Sequence, residues 1–260
     1  MLDQQAQCMD GRLPDFLGLG VQKGGTTSLQ RLLEQHPGAF LPAAKEVHFF
    51  SLHLAEGDGW YRNQFATVRA EQLCGEITPY YLFHPQAPSR VKALVPLARL
   101  LVLLRDPVER VLSQFFHSRR LGLELLELEA ALASESQRLV GANAVLEAAE
   151  GRHKSHQEHS YLSRSRYEEQ LPRWQALFPD AQLLVLLSED LFKQSEAVWT
   201  RLLSFLELDP WPLPCLGQPA NAGRGEAMQV SPAVRLNLKN QLQETYRWAE
   251  DQYGFTWDEP

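Results

Sequence analysis

The chain has 260 residues, room for one large domain, and its 44% hydrophobic and 22% charged residues exclude disorder for the bulk of it. A formal net charge of −7, from 25 basic and 32 acidic residues, speaks against general nucleic-acid binding and weighs mildly against a long polyanionic substrate. No apolar run reaches the roughly 18 residues that a membrane span needs.

Met1–Arg12 is polar and lacks the apolar stretch of a secretory leader. Cys8, Cys74 and Cys215 have no metal-ligand spacing, and an odd count argues against a disulfide framework. The expectation is a cytoplasmic protein of a reducing compartment. Asp15–Val21 is a short apolar run, predicted as a strand, and it leads into glycines and threonines. Thr27–His36 follows as a helix with Leu29, Leu32 and Leu33 on one face, stopped by Pro37. Val47–Phe50 and Leu73–Ile77 are predicted as extended, and Arg99–Leu104 as a fully buried parallel strand. Asp106, Pro107 and Glu109 supply an N-cap, a first-turn proline and a third-position carboxylate, so a helix starts there.

Residues 118–160 break the alternation. Leu121–Ala149 is acidic, leucine-rich and predicted helical, and Gly151–Ser160 is polar, so the stretch is expected to be a helical insertion or lid. Beyond it come an amphipathic helix at Tyr167–Leu177, a buried strand at Leu183–Leu187, and helices near 189–206 and 232–251. Pro210–Gly225 is expected to be a long ordered loop. Strands separated by helices predict an α/β fold, a central parallel sheet flanked by helices in a single domain over residues 1–260.

The chemistry concentrates in Gly20-Val21-Gln22-Lys23-Gly24-Gly25-Thr26-Thr27-Ser28, between a strand and a helix. In that context backbone amides and a helix amino terminus form an anion site. Against the nucleotide-binding pattern G-x-x-x-x-G-K-[ST], Gly20, Gly25 and Thr27 fit, but Thr26 stands where the lysine belongs and Lys23 lies three residues earlier. A magnesium–triphosphate site would lose a cation by that change. A site for one phosphate beside a breaking bond would keep one. Arg105 ends a central strand, and Ser113 lies about two turns into the next helix, roughly 10 Å along its axis, so the two can approach one ligand group. If Val47–Phe50 is a strand, Glu46 and His48 share a face and suit proton abstraction from a hydroxyl.

With those residues in view, Phe16–Phe50 resembles the phosphosulfate-binding loop of sulfotransferases that use 3′-phosphoadenosine 5′-phosphosulfate (PAPS). It is most similar to the branch of heparan sulfate sulfotransferases and their bacterial relatives. The resemblance continues through residues 75–82, 99–117 and 167–191, and more weakly through Asn221–Gly225. It implies a P-loop-like three-layer fold, transfer to a hydroxyl or less readily an amine, and release of adenosine 3′,5′-bisphosphate (PAP), with no metal. It places Lys23, Gly24, Gly25, Thr26, Thr27 and Ser28 around the 5′-phosphate and Arg105, Ser113 and Arg224 at the 3′-phosphate. Glu46 would be the catalytic base, with His48 beside it and Lys23 at the leaving group.

One departure is Ile77 in Glu76-Ile77-Thr78-Pro79, where some heparan sulfate enzymes carry a lysine, and this weighs against a polysaccharide acceptor. Small-molecule, lipid and glycan acceptors all stay open. Glu76 is either a second acid/base or substrate ligand, or a structural cap of its turn. His153, His156 and His159 are expected to be a solvated polar segment, because three-residue spacing turns the outer pair about 600° apart on a helix. Two alternatives remain, a P-loop kinase or NTPase and a non-catalytic nucleotide-binding protein of the same fold.

Overall fold

The computed structural model describes residues 11–215 and 225–257. A five-stranded parallel sheet lies at its centre, with strands β1 (Phe16–Gly20), β2 (Ala39–Phe40), β3 (Leu73–Ile77), β4 (Arg99–Leu104) and β5 (Leu183–Leu187) in the order β2-β3-β1-β4-β5. The order reverses at β1. The chain first builds β2 and β3 on one side, then crosses to β4 and β5 on the other. In open sheets of this kind the crevice at the carboxyl ends of the strands beside the reversal receives the ligand.

The strands are covered on both faces, as their near-continuous apolar sequence requires. Leu17, Leu19, Leu100, Val102, Leu104 and Val185 pack on one side, against α2 (Phe49–Leu52), α3 (Gly57–Asn63), α4 (Ala87–Leu94) and a ninth helix over 167–175. Phe16, Leu101, Leu103, Leu184 and Leu186 alternate to the other side, against α1 (Thr26–Leu33) and two helices over 188–193 and 195–206. Each such side chain contributes about 1.5–3 kcal/mol on burial. The layers are therefore helix, sheet, helix.

Helix α5 (Pro107–Arg120) begins as its sequence predicts, with Asp106 Oδ1 accepting the Glu109 amide at 2.8 Å and Pro107 in the first turn. A third apolar cluster ties Val111, Leu112 and Phe115 of α5 to Ala131, Tyr161, Leu238 and Leu242. The segment expected to be helical throughout 121–149 instead leaves helix over 121–127, then forms α6 (Leu128–Arg138) and α7 (Ala142–Leu146), with α8 (Lys154–Glu158) beyond. At the end of α5 the Leu123 and Glu124 amides donate to Ser118 O, and the chain leaves helix there, with Glu124 buried. Helices α9 (Tyr167–Gln175), α10 (Ser188–Lys193), α11 (Ser195–Leu206), α12 (Pro232–Gln241) and α13 (Gln243–Tyr253) complete the chain. Among the described residues no helix is long and apolar enough to cross a membrane.

Candidate active site

The loop after β1 turns back onto the sheet before α1 begins. Gly24 lies against β4, where a Cβ would come within 2.8 Å of Leu103 O, so only glycine lets the backbone approach this closely. Gly25 caps α1 at φ 87°, a left-handed conformation that glycine adopts without strain. The helix has no side-chain cap and no acidic residue in its first turn, which leaves its amino end electropositive. Lys23 is itself left-handed at φ 71°.

A pocket of about 690 Å³ opens at this point, beyond the carboxyl ends of β1 and β4. Of the residues singled out in the sequence, Lys23, Gly25, Thr26, Thr27, Ser28, Glu46, Arg105 and Ser113 all line it. Gly24 does not, being pressed beneath the loop, and Arg224 lies outside the described residues, as does most of the loop expected over Pro210–Gly225. Arg105 donates from Nη1 to Lys23 O at 2.9 Å, which joins the strand end to the loop. Burial, followed by the charges of Arg120, Arg105 and Lys45, lowers the Lys23 pKa to about 8. The lysine is therefore cationic at neutral pH but poised to release its proton just above it.

Glu46 reaches the same pocket by a different route from the one predicted. Residues 43–48 are not a strand, and Phe49–Leu52 is the short helix α2. Glu46 at φ 58° and His48 at φ 57° are both left-handed, each at a cost of about 1–2 kcal/mol for a residue with a Cβ. Alternation along a strand thus does not bring the two together; the turn does, with His48 Nε2 at 3.4 Å from Glu46 Oε2. His48 does not line the pocket, and its Nδ1 is 3.0 Å from Ser51 Oγ. Lys45 Nζ stands 3.7 Å from Glu46 Oε1 and donates to Thr27 Oγ1. Burial pushes the Glu46 carboxyl up, but the His48 hydrogen bond and the His48 and Lys45 charges outweigh it and hold the group below its ordinary value. Glu46 is ionised at neutral pH and able to accept a proton.

The family model for the sulfotransferase domain matches residues 13–212. The chain belongs to the sulfotransferase family. The membrane-associated sulfotransferase kil1 of Dictyostelium discoideum is 38% identical over 109 residues, which is 41% of this chain and 23% of that protein. The mouse heparan sulfate glucosamine 3-O-sulfotransferase 3B1 is 25% identical over 254 residues, 91% of this chain and 61% of the relative. The chain thus spans less than two thirds of the length of these curated relatives. Among solved structures, a sulfotransferase from Alicyclobacillus acidocaldarius superposes with a TM-score of 0.78 at 25% identity, covering 95% of this chain and 98% of that one. Mouse sulfotransferase SULT7A1, complexed with PAP, shares the fold with a TM-score of 0.57 at 14% identity, covering 94% and 86%.

Other parts of this sulfotransferase domain differ from the sequence expectations. Glu76 is 1% exposed, does not line the pocket, and accepts hydrogen bonds from Tyr61, Thr78 and Tyr81, so of the two roles considered for it only the structural one has a geometry. Burial raises its pKa while these three bonds oppose the rise. Ile77 is buried against Gly18 and does not line the pocket. The histidines at 153–159 are not a solvated run: His156 is 5% exposed, stacks on Phe83 at 4.2 Å between centroids and bonds Tyr80 Oη at 2.7 Å. Burial and the neighbouring Arg164 charge lower its pKa to about 2, so it is neutral. Among the described residues no group of three or more His, Cys, Asp or Glu has a metal-holding arrangement.

The pocket also holds residues that sequence reasoning left unassigned. His117 and Arg120, about one and two turns beyond Ser113 on α5, both line it. Steps of four residues from Ser113 to His117 and three from His117 to Arg120 are the available clue, since such positions share a helix face. Gln22 is held by Arg164, whose Nη1 donates to Gln22 Oε1 at 2.6 Å from 142 residues away. Nothing local in the sequence points to that pair.

Proposed function

We propose that this protein transfers the sulfuryl group of PAPS to an acceptor hydroxyl by in-line displacement, with PAP as the second product. The observation that carries the reading is the convergence of a cationic Lys23 and an ionised Glu46 on one pocket at the amino end of α1. The pocket chemistry fits the donor. Lys23 and the α1 amides with Thr26 and Thr27 suit its 5′-phosphate, Arg105 and Ser113 suit its 3′-phosphate, and about 690 Å³ falls in the range of small-molecule sites. Arg224, which lies outside the described residues, would add to the 3′-phosphate contacts.

The acceptor oxygen forms its bond to sulfur while its proton passes to a Glu46 carboxylate oxygen. The bond from sulfur to the bridging phosphate oxygen breaks, and its electron pair leaves with that oxygen. Lys23 neutralises the charge that grows there, in a geometry set before the reaction begins. His48 steadies Glu46 by its Nε2 contact at 3.4 Å from Oε2. Fixed donors around a sulfuryl group, which carries less charge than a phosphoryl group, support transfer by positioning and electrostatics. A glycan hydroxyl is the acceptor class that the names of the relatives favour, with small-molecule and lipid alcohols as the alternatives. Sulfur-labelled PAPS offered with N-sulfated heparosan, an aryl alcohol and a long-chain alcohol tests the reading. Label in one of these products is expected, and label that stays in the donor with all three, in a protein that also fails to bind PAP, overturns it.

A further inference from the structure

Glu76 is used by none of the steps above, yet it is the centre of a buried hydrogen-bond cluster. Its Oε2 accepts the Thr78 hydroxyl at 2.5 Å, and its Oε1 accepts the Tyr81 and Tyr61 hydroxyls at 2.6 and 3.0 Å. All four side chains are at most 1% exposed. Two of these hydroxyls have a second partner in the loop that carries Glu46. The His48 amide donates to Thr78 Oγ1 at 3.2 Å, and the Phe50 amide donates to Tyr81 Oη at 3.4 Å.

The directions of these bonds are forced. A backbone N–H only donates, so Thr78 and Tyr81 accept from the loop, and each has a single proton left to give. The carboxylate oxygens of Glu76 are the acceptors in reach, and they take these two protons, one on each oxygen. A neutral amide at position 76 could not serve both oxygens in this way, because its NH₂ would meet the Thr78 or the tyrosine protons. Glu46 and His48 are left-handed, and such conformations persist where the surroundings over-determine them. Here the surroundings are these two amide bonds, with Val47, Phe49 and Phe50 fixed in the core between and beside them.

We propose that Glu76 is a positioning residue for the Glu46–His48 pair: it orients the Thr78 and Tyr81 hydroxyls, which hold the His48 and Phe50 amides and so set the turn that presents Glu46 to the pocket. The inference rests on the reading of Glu46 as the proton acceptor. A base displaced by about 1 Å loses on the order of 10²-fold in rate, so loosening the turn acts on turnover before it acts on donor binding.

The test compares Thr78→Val, which keeps shape without the hydroxyl, with Thr78→Ser, which keeps the hydroxyl, and adds Glu76→Gln. Three quantities are measured on each variant: turnover with labelled PAPS and the acceptor that takes label from the wild-type protein, PAP affinity by calorimetry, and amide hydrogen exchange over residues 46–50. Thr78→Val is expected to lower kcat roughly 10–100-fold, leave PAP affinity within about twofold, and speed exchange at the His48 amide. Thr78→Ser restores all three, and Glu76→Gln follows Thr78→Val. Wild-type kcat with unchanged His48 exchange in Thr78→Val overturns the inference, as does a loss that Thr78→Ser fails to restore or that is equal in PAP affinity. If the wild-type protein moves no label to any of the three acceptors and fails to bind PAP, the underlying reading fails, and the exchange comparison still decides whether Thr78 holds the His48 amide.

Discussion

Two loops meet at the pocket, and they are built on opposite principles. The loop over 21–25 places its sharpest turn on Gly25 and its closest approach on Gly24, so its shape is written in its own residues. The loop over 43–48 puts left-handed turns on Glu46 and His48, which have side chains, and is held by hydroxyls of Thr78 and Tyr81 some thirty residues away. Of the four non-glycine residues with positive φ among the described residues, three are Lys23, Glu46 and His48. The backbone strain of this molecule is thus concentrated where the reacting groups are. In the proposed reaction the glycine loop is a cradle that forms locally, and the second loop carries the proposed base, whose position depends on the rest of the fold.

Separate binding and chemistry are what this difference requires, and substitutions can break the separation. The largest effect is expected from Glu46→Gln, which keeps the shape and the His48 hydrogen bond but accepts no proton. The kcat should fall about 10²–10⁴-fold, with thermal stability nearly unchanged, as read by steady-state kinetics and a melting curve. More than about a third of wild-type turnover would show that another group takes the proton.

Lys23→Ala comes next. Losing a charge-assisted bond to a phosphate oxygen costs roughly 1.5–3 kcal/mol, or about 10–100-fold, and here it should weaken both the donor complex and turnover. Changing pH tests the same residue without mutation. Lys23 has its pKa lowered to about 8, so its charge is present below that value and lost as pH rises through it. Donor affinity should hold from pH 6 to 7.5 and fall by up to roughly tenfold by pH 9, while the acid limb of kcat/KM, set by a Glu46 held below its ordinary value, lies under the usual carboxylate range. A flat affinity from pH 7 to 9 would remove Lys23 from the donor contacts. The smallest effect is expected from Gly25→Ala. The left-handed conformation then costs about 1–2 kcal/mol, and the new Cβ meets Phe192 at 3.4 Å, so a drop of a few degrees in Tm and a few-fold loss of PAP affinity are expected.

The same contrast governs how much was legible in the sequence. Strands β3, β4 and β5 and the start of α5 follow from apolar runs and one capping pattern, because those features depend on neighbours along the chain. The glycine loop was legible for that reason too. The two-residue strand β2 was not, since Ala39–Phe40 is too short to show a period. Residues 47–50 looked extended because Val47 and Phe49 alternate with Glu46 and His48, but their burial is met by α2 and by core contacts of Phe49 with Tyr61 and Phe50 with Tyr81. His156 looked solvated because its segment is polar, and only the fold brings Phe83 and Tyr80 to it. Where tertiary contacts override local preference, a single sequence carries no trace of the outcome.

The central claim is that the glycine loop binds the donor, with Lys23 serving the leaving oxygen as well, and that Glu46 acts in the chemical step without contributing to donor binding. Calorimetric titration of PAP into the wild-type protein, Glu46→Gln and Lys23→Ala tests it most directly. The account predicts saturable binding to the wild type, affinity within about threefold for Glu46→Gln, and a loss of at least about tenfold for Lys23→Ala. No binding to the wild type, or equal losses in the two variants, would contradict it.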